Sequence, residues 1–553
     1  MTALNRLDRF RPNVRRGASA GPAEIQPETP VQDLPPRPVE WVVSVRDWIG
    51  FMAMVVGMFM AILDIQIVAS SLAEIQAGIS ASQDEISWVQ TAYLIAEVIM
   101  IPLSGWLARV MSTRWLFLAS ATTFTLMSVA CAFAWDTNSM IAFRALQGFL
   151  GGAMIPTAFA TSFILFPPAR RAQISVLMGL TATLAPTIGP TVGGWLTQAF
   201  SWHWLFLVNV LPGIVVAILV LVFVRIDKPR PEMLKGFDLP GILFVALFLG
   251  CLEYVLEEGP INDWFEDEAI RTAAIASALG FVLMLWRELT VRNPVVDLYA
   301  FKDRNFLFGC IFSFIIGVGL YGSVYVVPLY LGRVKQYDSL EIGIVMMVTG
   351  LFQFASAPIA GALSKRLDLR LMLAMGLGLF GGGLYLNSGL TSDWGYWDLF
   401  LPQAVRGLSL MLCFVPINQL ALGLLPPDEV QNASGLYNLM RNLGGAIGLA
   451  TINTLIIDRS KLHQLRLAEM ITDARLAAVQ QLDAITRHFE PAFGEAAGKA
   501  ALKLVASRLQ TQAMVLTFGD VLLLMASTFG IALMLIPLLH KVGTAGGDSA
   551  AGH

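Results

Sequence analysis

The chain is poor in charge. Of 553 residues only 14% are Asp, Glu, Lys or Arg, while 56% are hydrophobic, and the mean hydropathy is +0.65. That excludes a soluble globule and reads as a polytopic membrane protein. The little charge present has almost no net sign, 37 basic against 40 acidic residues, so nothing argues for a nucleic-acid partner. The four cysteines, Cys131, Cys251, Cys310 and Cys413, all fall inside apolar runs and read as packing residues, not as a disulfide or metal set. There is no phosphate-cradling G-x-x-x-x-G-K-[ST] and no H-E-x-x-H. A membrane enzyme or sensor is therefore a remote alternative, and no cofactor is expected.

What the chain does have is long apolar runs. At about 20 residues per span there are fourteen, the first near 49–71, the seventh and eighth near 239–257 and 270–287, the last near 514–537. Residues 1–46 hold Arg6, Arg9, Arg11, Arg15 and Arg16 and then a Pro-rich stretch without an apolar core, which predicts a disordered tail and not a signal peptide. Basic residues gather in alternate loops, including Arg109, Arg170, Arg230, Lys302 and Lys365. The positive-inside rule then makes that side cytoplasmic, with both termini there and a multi-pass chain in the cytoplasmic (inner) membrane. Segment 457–512 is mixed in charge, helix-favouring and expected outside the membrane on the far side.

A repeat divides the spans. Pro102-Leu103-Ser104-Gly105 matches Pro358-Ile359-Ala360-Gly361 at an offset of 361 − 105 = 256 residues. Parallel repeats of this kind build two halves around a midplane site. The expected organisation is a tail at 1–46, a six-helix half at 47–224, a two-helix insertion at 225–304, a second six-helix half at 305–540 that includes 457–512, and a tail at 541–553.

The segment Ala185-Pro186-Thr187-Ile188-Gly189-Pro190-Thr191-Val192-Gly193-Gly194 lies within one run. Pro186 and Pro190 each remove a backbone donor, which predicts a bent helix whose freed carbonyls are taken up by neighbouring helices and threonine hydroxyls. Gly189, Gly193 and Gly194 predict the close approach of a second helix. The pattern resembles the antiporter motif G-x-x-x-G-P-x-x-G-G of major facilitator proton-coupled exporters, with Ala185 for the first glycine. Further segments are similar to the fourteen-span drug:proton antiporter family of the EmrB/QacA type. These are Leu63-Asp64 closing span one, Arg144-Ala145-Leu146-Gln147-Gly148 in span four, and Trp202-His203-Trp204 running to Asn209 at the entry to span six. One departure stands out: where the superfamily's cytoplasmic latch has an Asp after G-x-L-a, this chain has Arg109.

The resemblance implies an all-α major facilitator fold with 14 transmembrane helices, two six-helix halves plus two inserted helices. It implies export of small hydrophobic or amphipathic compounds in exchange for protons, with some relatives also requiring a periplasmic adaptor protein. Import of a small nutrient, such as a flavin-like vitamin, uses the same fold and is the alternative.

Charges within the hydrocarbon are costly and mark functional candidates. Asp64 and Arg144 each lie about six residues from the outer end of their spans, roughly 9 Å deep, and are expected to pair. Glu97 sits at mid-span without a charged neighbour in sequence, which suits a proton carrier because burial favours its neutral form. Arg406 stands near the place of Arg144 in the repeat, yet its half offers only Tyr321, Ser323 and Tyr325 where Asp64 would be. Arg441 beside Asn438, with Gln90, Tyr93 and Gln147, completes the expected cavity. Asn209 and Asp520, at matching places in spans six and fourteen, are the expected outer gate. Counting Asp64 and Glu97 against Arg144, Arg406 and Arg441 gives 3 − 2 = +1, a balance that disfavours multivalent cations as substrates.

Overall fold

The computed structural model describes residues 43–540, apart from 83–84, 237, 292–293, 295, 424 and 472–474. The expected tails lie outside the described residues, except that the first helix begins inside the last residues assigned to the N-terminal one. Every regular element described is helical.

The first six runs become α1 (Val45–Ala69), a short α2 (Leu72–Ile79), α3 (Ser87–Met111), α4 (Thr113–Ala132), α5 (Thr137–Gly151) continued by α6 (Met154–Leu165), α7 (Pro168–Ala199), and α8 (Trp204–Leu207) continued by α9 (Val210–Phe223). The inserted pair is α10 (Leu239–Glu258) and α11 (Glu268–Thr290). Then come α12 (Arg304–Arg333), α13 (Ser339–Leu363), α14 (Leu369–Ser388), α15 (Tyr396–Leu422), α16 (Pro427–Ala468), α17 (Leu476–Phe493) and α18 (Ala497–Leu535). The starts follow local chemistry. Asp303 and Asp338 cap α12 and α13 through the amides of Phe306 and Glu341, both at 2.8 Å, and prolines open α7 and α16 where a missing N–H costs nothing.

Among the described residues thirteen helices are long and apolar enough to cross a membrane, one fewer than the runs counted in sequence. The difference is α16, which is 42 residues long but has its apolar run diluted by Asn438, Arg441, Asn442 and Asn453. Asn438 and Arg441 are buried against other helices, so the membrane segment of α16 is defined by protein packing more than by hydropathy. Beyond that run α16 continues to Ala468 and α18 begins at Ala497, so most of 457–512 is helix, as its composition suggests.

Successive spans alternate direction, which gives the bundle a basic end (Arg109, Arg171, Lys228, Lys365) and an acidic end (Glu74, Asp136, Asp267, Asp393). At the basic end the first and last six spans touch. Ser434 Oγ donates to the Pro156 carbonyl at 2.7 Å. A Cβ on Gly105 would lie 2.7 Å from the Gln431 carbonyl oxygen, so only glycine lets α3 meet α16 there. Toward the acidic end α10 lies along α3. Gly250 faces Ile95 and Ile99, and Trp88 stacks on Tyr254 with centroids 5.4 Å apart. Just past α10, Trp264 Nε1 donates to Thr454 Oγ1 of α16 at 2.9 Å. The inserted pair is thus fastened to both α3 and α16.

Candidate functional site

Asp64 and Arg144 form an ion pair at 2.6 Å, both side chains fully buried. α1 presents the acid and α5 the base. The rest of the shell satisfies the Asp64 carboxylate and the Nε and Nη1 groups of Arg144, while Arg144 Nη2 has no hydrogen-bond partner among the described residues. Asp64 Oδ1 accepts from Asn209 Nδ2 at 2.7 Å and from Gln147 Nε2 at 3.4 Å. Arg144 donates to Gln147 Oε1 at 2.8 Å and to the Val89 carbonyl at 3.2 Å. Asn209 also donates to Ser128 Oγ, whose hydroxyl donates to the Phe206 carbonyl. The guanidinium lies 4.2 Å from the Tyr93 ring centroid, a cation–π contact in a dry setting. The expected pairing is therefore present. Tyr93 belongs to this cluster, not to an interfacial belt, and Asn209 is an arm of it. Asp520 is elsewhere: half-exposed on α18, it lies 3.0 Å from His463 Nε2 and 3.8 Å from Arg459. The structure does not bring Asn209 and Asp520 together.

Glu97, two turns inward from Gln90 on α3, is 3% exposed and makes no hydrogen bond or ion pair with a described residue. Its neighbours are α5 and α6, since a Cβ on Gly152 would meet its backbone. Arg144 and Arg441 are the cations whose fields reach it.

The other wall is built differently. Arg441 donates to Asn438 Oδ1 at 2.7 Å and lies 5.3 Å from the Phe159 ring and 5.5 Å from the Phe414 ring. It thereby links α6, α15 and α16. Tyr321 of α12 packs on Gly445 of α16 beside Arg441. Tyr325 lies a turn further along α12, on the side of Asn453. Arg406 is 1% exposed and reaches only Thr349 Oγ1, at 3.2 Å; among the described residues its Nε and Nη1 have no hydrogen-bond partner. Arg144 and Arg406, which the repeat suggests as counterparts, therefore differ: the first has a carboxylate partner and the second, among the described residues, only a neutral hydroxyl.

Along α7 the helix continues through both prolines. The threonine hydroxyls do bond backbone carbonyls, but not those that Pro186 and Pro190 release. Thr183 Oγ1 donates to Gly179 O at 2.7 Å and Thr187 Oγ1 to Thr183 O at 2.9 Å, because a hydroxyl reaches back one turn from its own position. The close approach is real: a Cβ on Gly193 would lie 2.7 Å from Ser70 Oγ and 2.9 Å from the Ile67 carbonyl of α1. Thr197 Oγ1 bonds the carbonyl of Gly194.

A family model described as Major Facilitator Superfamily matches residues 54–449. The chain belongs to the Major Facilitator Superfamily. Within it the chain is of the EmrB type, being 43% identical over 479 residues to Colistin resistance protein EmrB of Acinetobacter baumannii, with 87% of this chain and 93% of that one covered. It is 27% identical over 503 residues to Multidrug export protein EmrB of Escherichia coli, covering 90% and 96%. Two solved superfamily structures share the fold. The human organic anion transporter MFSD10 has a TM-score of 0.52 at 13% identity, covering 87% of this chain and 99% of its own. The proton:xylose symporter XylE has a TM-score of 0.52 at 12% identity, covering 89% and 96%. The superfamily and these relatives are transporters, not enzymes.

Set against the superfamily pattern, two groups escaped the sequence reading. The first is the acids of α10. Glu253 and Glu258 are 5% and 7% exposed, and Glu258 accepts from Thr91 Oγ1 of α3 at 3.1 Å. Over the described spans the buried charges are then Arg144, Arg406 and Arg441 against Asp64, Glu97, Glu253, Glu258 and Glu288 of α11, or 3 − 5 = −2. The expected +1 is thus corrected, and with it the ground for disfavouring cations. The signal was present in the sequence, since Glu253 falls inside the seventh run, but that run had been set apart as an insertion. The second group lies at the basic end. Asp227, from the loop after α9, accepts from the Thr113 amide at 2.9 Å and the Thr113 hydroxyl at 3.0 Å. Gln431 Nε2 of α16 reaches the same carboxylate at 3.4 Å and the Thr113 hydroxyl at 3.3 Å. A carboxylate therefore joins α4 to α16 close to the loop where the superfamily's usual latch Asp is replaced by Arg109.

Proposed function

We propose that this protein exports small hydrophobic or amphipathic compounds across the cytoplasmic membrane in exchange for protons. The observation that carries the reading is the contrast between two buried acids. Asp64 is saturated by Arg144, Asn209 and Gln147, whereas Glu97 is held in the same interior with no bonded partner among the described residues. A carboxyl that is buried and unpaired gains and loses a proton at the lowest structural cost, so Glu97 is the proton carrier. The Asp64–Arg144 pair is the switch that couples its state to α1 and α5.

The two six-helix halves, 47–224 and 305–540, alternate around the midplane, with the insertion 225–304 beside them. Tyr321, Arg441 and Asn438 meet the substrate from one side and Gln90 from the other, with Glu97 behind them as the proton carrier. The basic end faces the cytoplasm, where Asp227 and Gln431 stand in for the missing latch. Asn209 anchors the Asp64 cluster near the outer side. Export is favoured over import because relatives covering nearly the whole chain are named for export and resistance. The helical extension formed by α16, α17 and α18 is the place where a periplasmic adaptor protein would dock.

The test is transport in proteoliposomes of known orientation with an imposed pH gradient. Glu97→Gln is expected to abolish gradient-driven movement while leaving substrate binding intact. Full gradient-driven transport by that variant would remove Glu97 from the mechanism.

A further inference from the structure

We infer, on the reading above that the two halves alternate, that the inserted pair α10 and α11 works the gate at the basic end. The loops on either side of the pair form a bracket around the start of α16, and the basic end opens only when that bracket lets go.

The leading loop is built onto the first half. Asp227 caps α4 through the Thr113 amide at 2.9 Å, and the Arg230 amide donates to the Arg109 and Val110 carbonyls at 3.2 and 3.1 Å, satisfying the last turn of α3. From that anchorage the loop reaches the second half, because Gln431 Nε2 of α16 donates to Asp227 at 3.4 Å. The trailing loop takes the next residue of the same helix. Asn432 Nδ2 donates to the Asp297 carbonyl at 3.0 Å and Asn432 Oδ1 accepts from the Asp297 amide at 3.4 Å, so one side-chain amide pairs with both backbone groups of Asp297. Gln431 and Asn432 are thus held by segments 204 and 135 residues away. Consecutive helix residues point about 100° apart, so α16 is gripped on two faces.

The two loops are also tied to each other through the pair they flank. Asp238, which caps α10 through the Gly241 amide at 3.1 Å, takes the Arg287 guanidinium of α11 at 2.9 Å. The next residue, Glu288, accepts at 3.3 Å from the amide of Val296, which precedes Asp297. A path of chain and side-chain bonds therefore runs from α4 by way of Asp227, Asp238, Arg287 and Glu288 to Asn432. Within a turn of Asn432 the halves touch directly, at Ser434 and Gly435. Holding the helix start at 431 and 432 holds that seam shut. The strength suits a gate that must reopen, since each hydrogen bond exchanged against water is worth a factor of roughly two to ten.

The test is pulsed electron paramagnetic resonance on the full-length protein in proteoliposomes, with its four native cysteines replaced. One pair of spin labels goes on cysteines at Arg170 and Arg366, exposed at the basic end of the two halves, and another at Asn138 and Asp393, exposed at the acidic end. Asn432→Ala should raise the ratio of long to short distances for the basic-end pair roughly two- to tenfold, and Arg287→Gln should shift it in the same direction. Ser277→Ala removes a bond from α11 to the Phe248 carbonyl of α10, away from both loops, and should leave the ratio unchanged. Basic-end distances unmoved by Asn432→Ala and Arg287→Gln, in a protein whose wild type does redistribute when ethidium is added in acid or alkaline buffer, would overturn the bracket alone. Equal broadening at both ends would also overturn it, because that pattern marks general loosening of the fold. A single basic-end distance in the wild type and in every variant refutes the alternation of the halves, and the bracket with it.

Discussion

Replacing Asp64 with Asn should destabilise the protein before it does anything else. Two charges 2.6 Å apart attract by about 6 kcal/mol at an effective dielectric constant of 20. Desolvation offsets part of that, and breaking one side of a buried pair typically costs roughly 3 to 5 kcal/mol. The shell around Asp64 explains why the isosteric amide cannot escape the cost. Oδ2 faces a donor of Arg144, and Oδ1 faces donors of Asn209 and Gln147. An amide has one oxygen, so whichever way it turns its NH2 group meets a donor. Two second-site changes follow from the same geometry. Arg144→Gln added to Asp64→Asn removes the stranded cation and should recover much of the thermal stability without function. Asn209→Asp added to Asp64→Asn returns a carboxylate to the cluster and should recover stability further. The assay is thermal unfolding of purified variants in one detergent, followed through the monodisperse fraction. If Asp64→Asn melts with the wild type, the buried pair is not holding α1 to α5 and the reasoning fails.

Gly193→Leu should abolish transport and lower expression, since its Cβ would sit 2.7 Å from Ser70 Oγ and overpacking of this kind costs roughly 1 to 3 kcal/mol; near-normal transport would mean that α1 and α7 separate freely. Asp227→Ala should cost about 1 kcal/mol, the scale of a lost helix cap, and should raise the rate at which a cysteine placed at Ser434 is alkylated from the basic side. An unchanged rate would show that the Asp227–Gln431 contact does not close that end. Cysteines at Asp263 and Gln480 should react with an impermeant thiol reagent in intact cells and one at Arg230 should not, so labelling at 230 would reverse the proposed orientation.

The Asp64–Arg144 pair was legible because each is a lone charge in an apolar run and both lie at the same depth. Equal depth on neighbouring spans is enough to predict contact when a hydrocarbon surround penalises every alternative. The rest of the shell was legible only in part. Gln147 is one turn from Arg144 and follows from helix periodicity, but Asn209 and Ser128 join through α8, α9 and α4, whose relative rotation is a tertiary fact. Asp227 could not be read at all. It sits in a polar loop 114 residues from Thr113, and nothing local marks it as the cap of α4. The extent of α16 was hidden for the opposite reason: its polar residues made a buried span read as a weaker one. Glu253 was visible in the sequence, but the insertion had been set apart from the two halves.

The asymmetry between the two buried arginines indicates where the energy of coupling resides. Arg144 is matched by Asp64, so a change in either partner is transmitted at once to α1, α5 and, through Asn209, to α9. Among the described residues Arg406 bonds only Thr349, and that hydroxyl also bonds the Gln403 side chain. A cation bonded only to neutral groups has no counter-charge to exchange, so it cannot switch by exchanging partners. Its half therefore contributes a fixed positive field, to which Arg441 adds at the seam with α6. In the proposed cycle the acid that varies in charge is Glu97, which lies within reach of Arg441. A proton arriving on it would lower its attraction to that field and loosen the two walls from each other, and proton release would restore the attraction. On this account neutralising Arg441 to Gln should weaken the pH dependence of transport more than it weakens substrate affinity, because the field it supplies acts on the protonated and deprotonated states differently. Measuring the affinity of a probe and the pH profile of its transport in the same preparation separates the two effects. Loss of affinity with an unaltered profile would assign Arg441 to the substrate alone.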